Sequence, residues 1–125
     1  MEVITNKRVL IVDDAAFMRR TLKAILEMHG FEILGEAADG AEGVARYKEL
    51  HPGLVTMDIT MPVMDGIAAL KEIREYDPQA KVVMVSAIGQ ESFIMEAISN
   101  GAKEFIIKPF EEESVVKTLK KVVAM

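Results

Sequence analysis

Five polar side chains in this chain stand where an apolar run stops. "RVLIV" (8–12) ends in Asp13 and Asp14, "LVTM" (54–57) in Asp58, "KVVMVS" (81–86) in Ser86, and "EFIIK" (104–108) in Lys108, which Pro109 follows. An ionised carboxylate at the edge of a core costs free energy unless something pairs with it. Three carboxylates brought together repel; at ~4 Å and an effective dielectric near 20, one such pair costs about 4 kcal/mol. A proton or a cation must relieve this. Oxygen donors without Cys or a strand-end His favour a hard cation such as Mg²⁺, which takes one or two carboxylates and keeps open positions. A carboxylate can also act as a nucleophile and form an aspartyl phosphate. Phosphoryl transfer needs positive charge around the equatorial oxygens. Lys108 and Mg²⁺ supply that charge in this reading, and Ser86 donates a hydrogen bond. Asp58, alone at the end of a strand, is best placed to attack, and Asp13 and Asp14 suit metal holding.

The elements that must position these groups alternate in kind. "RVLIV" and "LVTM" are dense runs without polar alternation, as in strands buried on both faces. "FEILGEA" (31–37) reads as a weaker strand interrupted by Gly35. Between the strands lie amphipathic stretches. Phe17, Met18, Leu22, Ile25 and Leu26 form one helical stripe, stopped at Gly30. Val44, Tyr47 and Leu50 form the next, weakened by Gly43 and preceded by a turn at Asp39-Gly40. Ile67, Leu70 and Ile73 form the third, with Asp65 as its N-cap. Phe93, Ile94, Ala97 and Ile98 are expected to face inward from the fourth. The last helix begins near Glu111 and ends with Lys117, Lys120 and Lys121, an order that complements the helix dipole. The result is an α/β, (βα)5 pattern. It implies a doubly wound parallel five-stranded sheet with helices on both faces. In such sheets ligands bind beyond the carboxyl ends of the strands, where the five polar residues collect.

Composition narrows the function. The chain has 125 residues, 50% apolar and 28% charged, which suits one domain spanning 1–125 with no attached output module. A net charge of −5 argues against nucleic-acid binding. Cysteine is absent, which excludes disulfides, thiol catalysis and Cys-ligated zinc. "MEVITNKR" shows no apolar leader, and no run is long enough to span a bilayer, so a cytoplasmic location without membrane insertion is expected. His29 and His51 fall at helix ends and read as surface groups. The nine Met residues read mainly as core filler.

Taken in order and spacing, "VLIVDD", "VTMDITMPVMDG", "VVMVSA" and "FIIKPF" resemble the response-regulator receiver family over essentially the whole chain. "VDDAAFMRRTL" and "MVSAIGQE" are most similar to the single-domain chemotaxis (CheY-like) receivers. The resemblance implies a two-component phosphorelay switch rather than an enzyme. Asp58 would be phosphorylated by a sensor histidine kinase, with the domain catalysing its own phosphorylation and dephosphorylation. It implies Mg²⁺ held by Asp14, Asp58 and the Thr60 carbonyl, with Asp13 acting mostly through water. Ser86 would be the hydroxyl that moves onto the phosphoryl group and Lys108 its cationic contact. The Lys108-Pro109 peptide would be cis and the strand order the flavodoxin-like 2-1-3-4-5. Phe105 would switch between outward and inward positions, reshaping a surface of helix 4, strand 5 and helix 5. A chemotaxis kinase, a flagellar motor switch protein and a phosphatase are the implied partners. The sequence departs from the commonest pattern in having Ser86 where Thr is frequent, Phe105 where Tyr is frequent, and Gly53 after Pro52. Thr60 and Ile88 stand at positions that tune phosphoryl lifetime in the family.

Each residue also has an ordinary reading: Asp14 as a helix N-cap, Asp58 as a loop acid, Ser86 as a capping hydroxyl, Lys108 as a solvated amine. Their joint arrival at strand ends outweighs these. Competing functions are a stand-alone receiver in another phosphorelay, and an aspartate-nucleophile phosphohydrolase, which needs a second Asp where Thr60 stands. A nucleotide or flavin module would want a glycine-rich turn where "DDAAF" stands.

Overall fold

The computed structural model describes residues 7–125. The opening segment, read above as carrying no apolar leader, lies mostly outside them. Ten elements alternate: β1 (Arg8–Val12), α1 (Ala16–Met28), β2 (Glu32–Ala37), α2 (Gly40–Leu50), β3 (Leu54–Asp58), α3 (Gly66–Tyr76), β4 (Val82–Ala87), α4 (Glu91–Ser99), β5 (Glu104–Lys108) and α5 (Glu112–Val123). The strands form one parallel sheet in the order β2-β1-β3-β4-β5. β1, β3 and β4 are interior, which is why their sequences are apolar without alternation.

Side-chain alternation along the strands splits the core in two. Leu10, Val12, Val55, Met57, Val82 and Met84 pack with α2, α3 and α4. Val9, Ile11, Leu54, Val83 and Ile106 pack with α1 and α5. Carried to the carboxyl ends, the same alternation puts Asp13, Asp58 and Lys108 on the α1/α5 face, in line with Ile11, Leu54 and Ile106. Ser86 falls with Met84 on the opposite face.

Several local expectations change. Asp39 and Gly40 are the start of α2, not a free turn. Asp39 Oδ1 accepts from the Glu42 N–H at 2.8 Å while Glu42 Oε1 accepts from the Ala38 N–H at 2.8 Å, a reciprocal cap. Gly43 belongs to α2 because the helix lies close on β1. A Cβ there would stand 3.0 Å from Val12 Cγ1. Phe17 is 69% exposed rather than part of the α1 stripe, which rests on Leu22 and Leu26. In α4 only Ile94 and Ala97 are buried; Phe93 and Ile98 are 46% and 44% exposed. The neighbouring elements cover only the strip of α4 that carries Ile94 and Ala97. Among the described residues no helix is long and apolar enough to cross a membrane.

Candidate functional site

β3 carries Asp58 to the edge of the core and stops there. The carboxylate is buried, and its Oδ1 accepts from the Ile59 N–H at 2.9 Å. The chain then turns sharply back. The Ile59 carbonyl accepts from the Gly66 N–H at 2.7 Å, and Asp65 Oδ1 caps α3 through the Ala68 N–H at 2.8 Å. That return brings Gly66 against the strand end: a Cβ at this position would lie 1.9 Å from the Asp58 carbonyl oxygen. Backbone cannot yield as a side chain can, so Gly66→Ala is expected to destabilise the protein by roughly 2–4 kcal/mol. Urea unfolding checks this; an unchanged midpoint would mean the turn is not held this tightly. At Val63 the loop takes φ 67 and the Met64 N–H donates to the Pro62 carbonyl at 2.7 Å, a strained γ-turn on an exposed β-branched residue.

Asp13 is 1% exposed and fixed from several directions. Its N–H donates to the Ala37 carbonyl at 3.0 Å, and its Oδ1 accepts from the Ala15 N–H at 2.8 Å. Arg19 reaches back from α1, donating through Nη1 to the Asp13 carbonyl at 2.6 Å and through Nε to Glu36 Oε1 at 2.9 Å. One guanidinium therefore ties the acidic turn to β2. Asp14 is exposed and is not the N-cap of α1; that position is Ala15, without a side-chain bond.

Lys108 closes the group from β5. Its Nζ lies 3.1 Å from Asp13 Oδ2 and 3.5 Å from Asp58 Oδ1. The peptide that follows, Lys108-Pro109, is cis. Oxygens of Asp13, Asp14 and Asp58 all lie within 4.8 Å of one another. Burial, and then the Asp13 charge, push the Asp58 carboxyl up to about 6 from its ordinary 3.8. Lys108 and the Ile59 N–H pull the other way, and Asp14 adds a little to the rise. The carboxylates thus outweigh the one ammonium among them. An all-oxygen set of this size fits a hard divalent cation, which would relieve the repulsion.

The remaining sequence-predicted residues surround this group without joining it. Ser86 is fully buried, and its Oγ has no hydrogen-bond partner, Asp58 included. Thr60 is exposed, and its hydroxyl accepts from Gln90 Nε2 at 2.9 Å. Phe105 is partly exposed and lines a cleft of about 380 Å³ with Ile107, Pro109, Phe110 and Glu111. His29 and His51 stand at the C-caps of α1 and α2, and His29 Nε2 pairs with Glu112 Oε2 at 2.8 Å. Sequence reasoning passed over Arg19, Gln90 and Gly66. Arg19 and Gln90 act through long side chains reaching across loops, and Gly66 through space left empty.

The profile of the response regulator receiver domain family matches residues 9–120. The chain is 59% identical to the chemotaxis protein CheY of Thermotoga maritima, over 94% of this chain and 98% of the relative. It is 57% identical to CheY of Bacillus subtilis, over 91% of this chain and 95% of the relative. Its backbone matches a chain in the Borrelia burgdorferi structure described as the CheX-CheY-BeF3-Mg complex. The TM-score is 0.88 at 44% identity, covering 92% of this chain and 87% of that one.

Proposed function

Because the chain belongs to the response regulator receiver domain family, we propose that it is a phosphoryl-accepting switch with Asp58 as the acceptor. The observation that carries this is the grouping of Asp13, Asp14, Asp58 and Lys108 from three separate strand ends. An Asp58 carboxylate oxygen attacks phosphorus and forms an O–P bond. The bond to the donor breaks, P–N in a phosphohistidine or P–O in acetyl phosphate, and the leaving group departs with the electron pair. Lys108 Nζ offsets charge on the equatorial oxygens. Asp14, Asp58 and the Thr60 carbonyl, with Asp13 through water, would hold Mg²⁺, which supplies further positive charge there. Support comes from the all-oxygen set in this chain and from Mg in the description of the Borrelia burgdorferi complex.

Once phosphorylated, Ser86 moves onto the dianion and Phe105 turns inward, shifting the exposed surface of α4, β5 and α5. Exposed Met95, Ile98, Phe105 and Ile107 give that surface apolar contacts to offer. Hydrolysis of the acyl phosphate resets it. The similarity to chemotaxis proteins at 57–59% identity supports a chemotaxis kinase as donor and a flagellar motor switch protein as target. The pairing of CheX with CheY in the Borrelia burgdorferi complex supports a phosphatase as the third partner.

The test is intact mass after incubation with Mg²⁺ and acetyl phosphate, followed by peptide mapping. One phosphoryl adduct on the peptide containing Asp58 is expected. No adduct, or an adduct elsewhere, would overturn the acceptor assignment. For the chemotaxis reading, the beryllofluoride-activated protein should gain affinity for a motor-switch peptide; no gain would point to another phosphorelay.

A further inference from the structure

The β4–α4 loop is joined to the β3–α3 loop by one side chain. Gln90 Oε1 accepts from the Ala87 N–H at 2.6 Å, and Gln90 Nε2 donates to Thr60 Oγ1 at 2.9 Å. Ala87 directly follows Ser86, whose Oγ is fully buried and without a partner. Gln90 is also the N-cap residue of α4, yet its side chain makes no cap bond to the helix. A residue whose amide would serve the helix start is committed to the two loops instead. The helix it begins is thinly held, with only Ile94 and Ala97 buried. Elements with so little buried surface open at low free-energy cost, so their end contacts weigh heavily.

We propose that Gln90 is a positioning residue, a latch that fixes the β4–α4 loop and keeps Ser86 off Asp58 until the phosphoryl group arrives. This deepens the switch reading above and rests on it for its purpose. Ser86 stands by strand alternation on the face opposite Asp58, so reaching a phosphoryl group requires the backbone at Ser86-Ala87 to shift. The Ala87 N–H cannot move that way while it donates to Gln90. Its release also frees the start of α4, which links the site to the α4 surface through a bond that is either made or broken. Thr60 anchors the other end, so the loop that follows Asp58 and the loop that follows Ser86 change together.

Two measurements on Gln90→Met, which keeps the length of the side chain without its polar atoms, test the latch. The first needs no phosphoryl donor: the Ala87 amide exchange rate by NMR. Exchange at least threefold faster in the variant supports the latch, and equal rates overturn it. The second is titration with beryllofluoride in saturating Mg²⁺. Apparent affinity should rise at least threefold in Gln90→Met and in Thr60→Val, and the double variant should gain no more than the larger single effect. Unchanged or weaker affinity in the singles, or fully additive gains, would overturn the coupling. A merely structural role for Gln90 lowers stability without raising this affinity. If the unsubstituted protein takes up no beryllofluoride, the acceptor reading of Asp58 fails, and amide exchange still decides the latch.

Discussion

The Asp58→Asn variant is expected to take up no phosphoryl group and yet, in chelator at about pH 7.5, to be more stable than the unsubstituted protein by about 1–2 kcal/mol. Both effects follow from one carboxylate. Asn has no ionised oxygen to attack phosphorus, so phosphorylation stops. The stability gain has a sign set by burial. Asp58 is raised to about 6 in the folded protein against 3.8 ordinarily, so the folded state favours its protonated form. That contribution is fully present below the unfolded value and is lost as pH rises through about 6. Above that range the protein carries an ionised Asp58 beside Asp13, and removing the charge relieves the repulsion. The advantage of Asp58→Asn should therefore shrink toward zero as pH falls to about 4. Urea unfolding of both proteins across this range, without divalent metal, measures the difference directly. A variant less stable at every pH would mean that Lys108 holds Asp58 more strongly than burial and Asp13 oppose it. Mg²⁺ should raise the melting temperature of the unsubstituted protein more than that of Asp58→Asn, since the variant offers one fewer anionic oxygen ligand.

The strand ends were legible because a buried parallel strand announces itself as an unbroken apolar run, and the first polar residue after it has only one place to be. Asp13, Asp58 and Lys108 were readable in that way, and the structure adds that they share a face. Which strands are neighbours is a different matter. The pairings of β1 with β3 and of β4 with β5 depend on crossover packing rather than on any one run, and the order 2-1-3-4-5 came from family resemblance. Burial on α4 was misjudged for a physical reason. Phe93 and Ile98 have the right spacing for an inner face, but periodicity does not reveal how wide a face the neighbouring elements cover. Arg19 and Gln90 left no trace in periodicity at all. Each does its work at the far end of a flexible side chain, across a gap the sequence does not measure.

These differences make two kinds of site residue. Asp13 and Asp58 are set by the ends of β1 and β3 and held by the backbone N–H groups of Ala15 and Ile59, close by in the chain. Ser86 and Thr60 are also near strand ends, but Thr60 is held through Gln90, and Ser86 is adjacent to the amide that Gln90 binds. A switch needs this division. In the proposed switch the acceptor, Asp58, would stay fixed while Ser86 is free to move.

Lys108→Met should separate the two tasks of the ammonium. In the resting protein Nζ is the cation nearest both buried carboxylates, at 3.1 Å from Asp13 and 3.5 Å from Asp58. Met keeps much of the stem and removes the charge. Asp58 then loses an influence that lowers its pKa, so a smaller fraction is ionised near neutrality. The equatorial oxygens also lose a cation at the moment their charge must be offset, and removal of one such donor typically costs about 10²–10³ in rate. Phosphorylation by acetyl phosphate at saturating Mg²⁺ is therefore expected to slow by about 10²–10³-fold. Mg²⁺ affinity should move the other way and tighten a few-fold, because the competing positive charge has left the acidic cluster. The two readouts together are diagnostic. A variant that merely disorders the pocket would lose metal affinity along with rate, whereas slower phosphorylation with tighter Mg²⁺ binding assigns Lys108 to the phosphoryl group. Activity unchanged within about threefold would remove Lys108 from the reaction and leave it as a neutralising partner of Asp13.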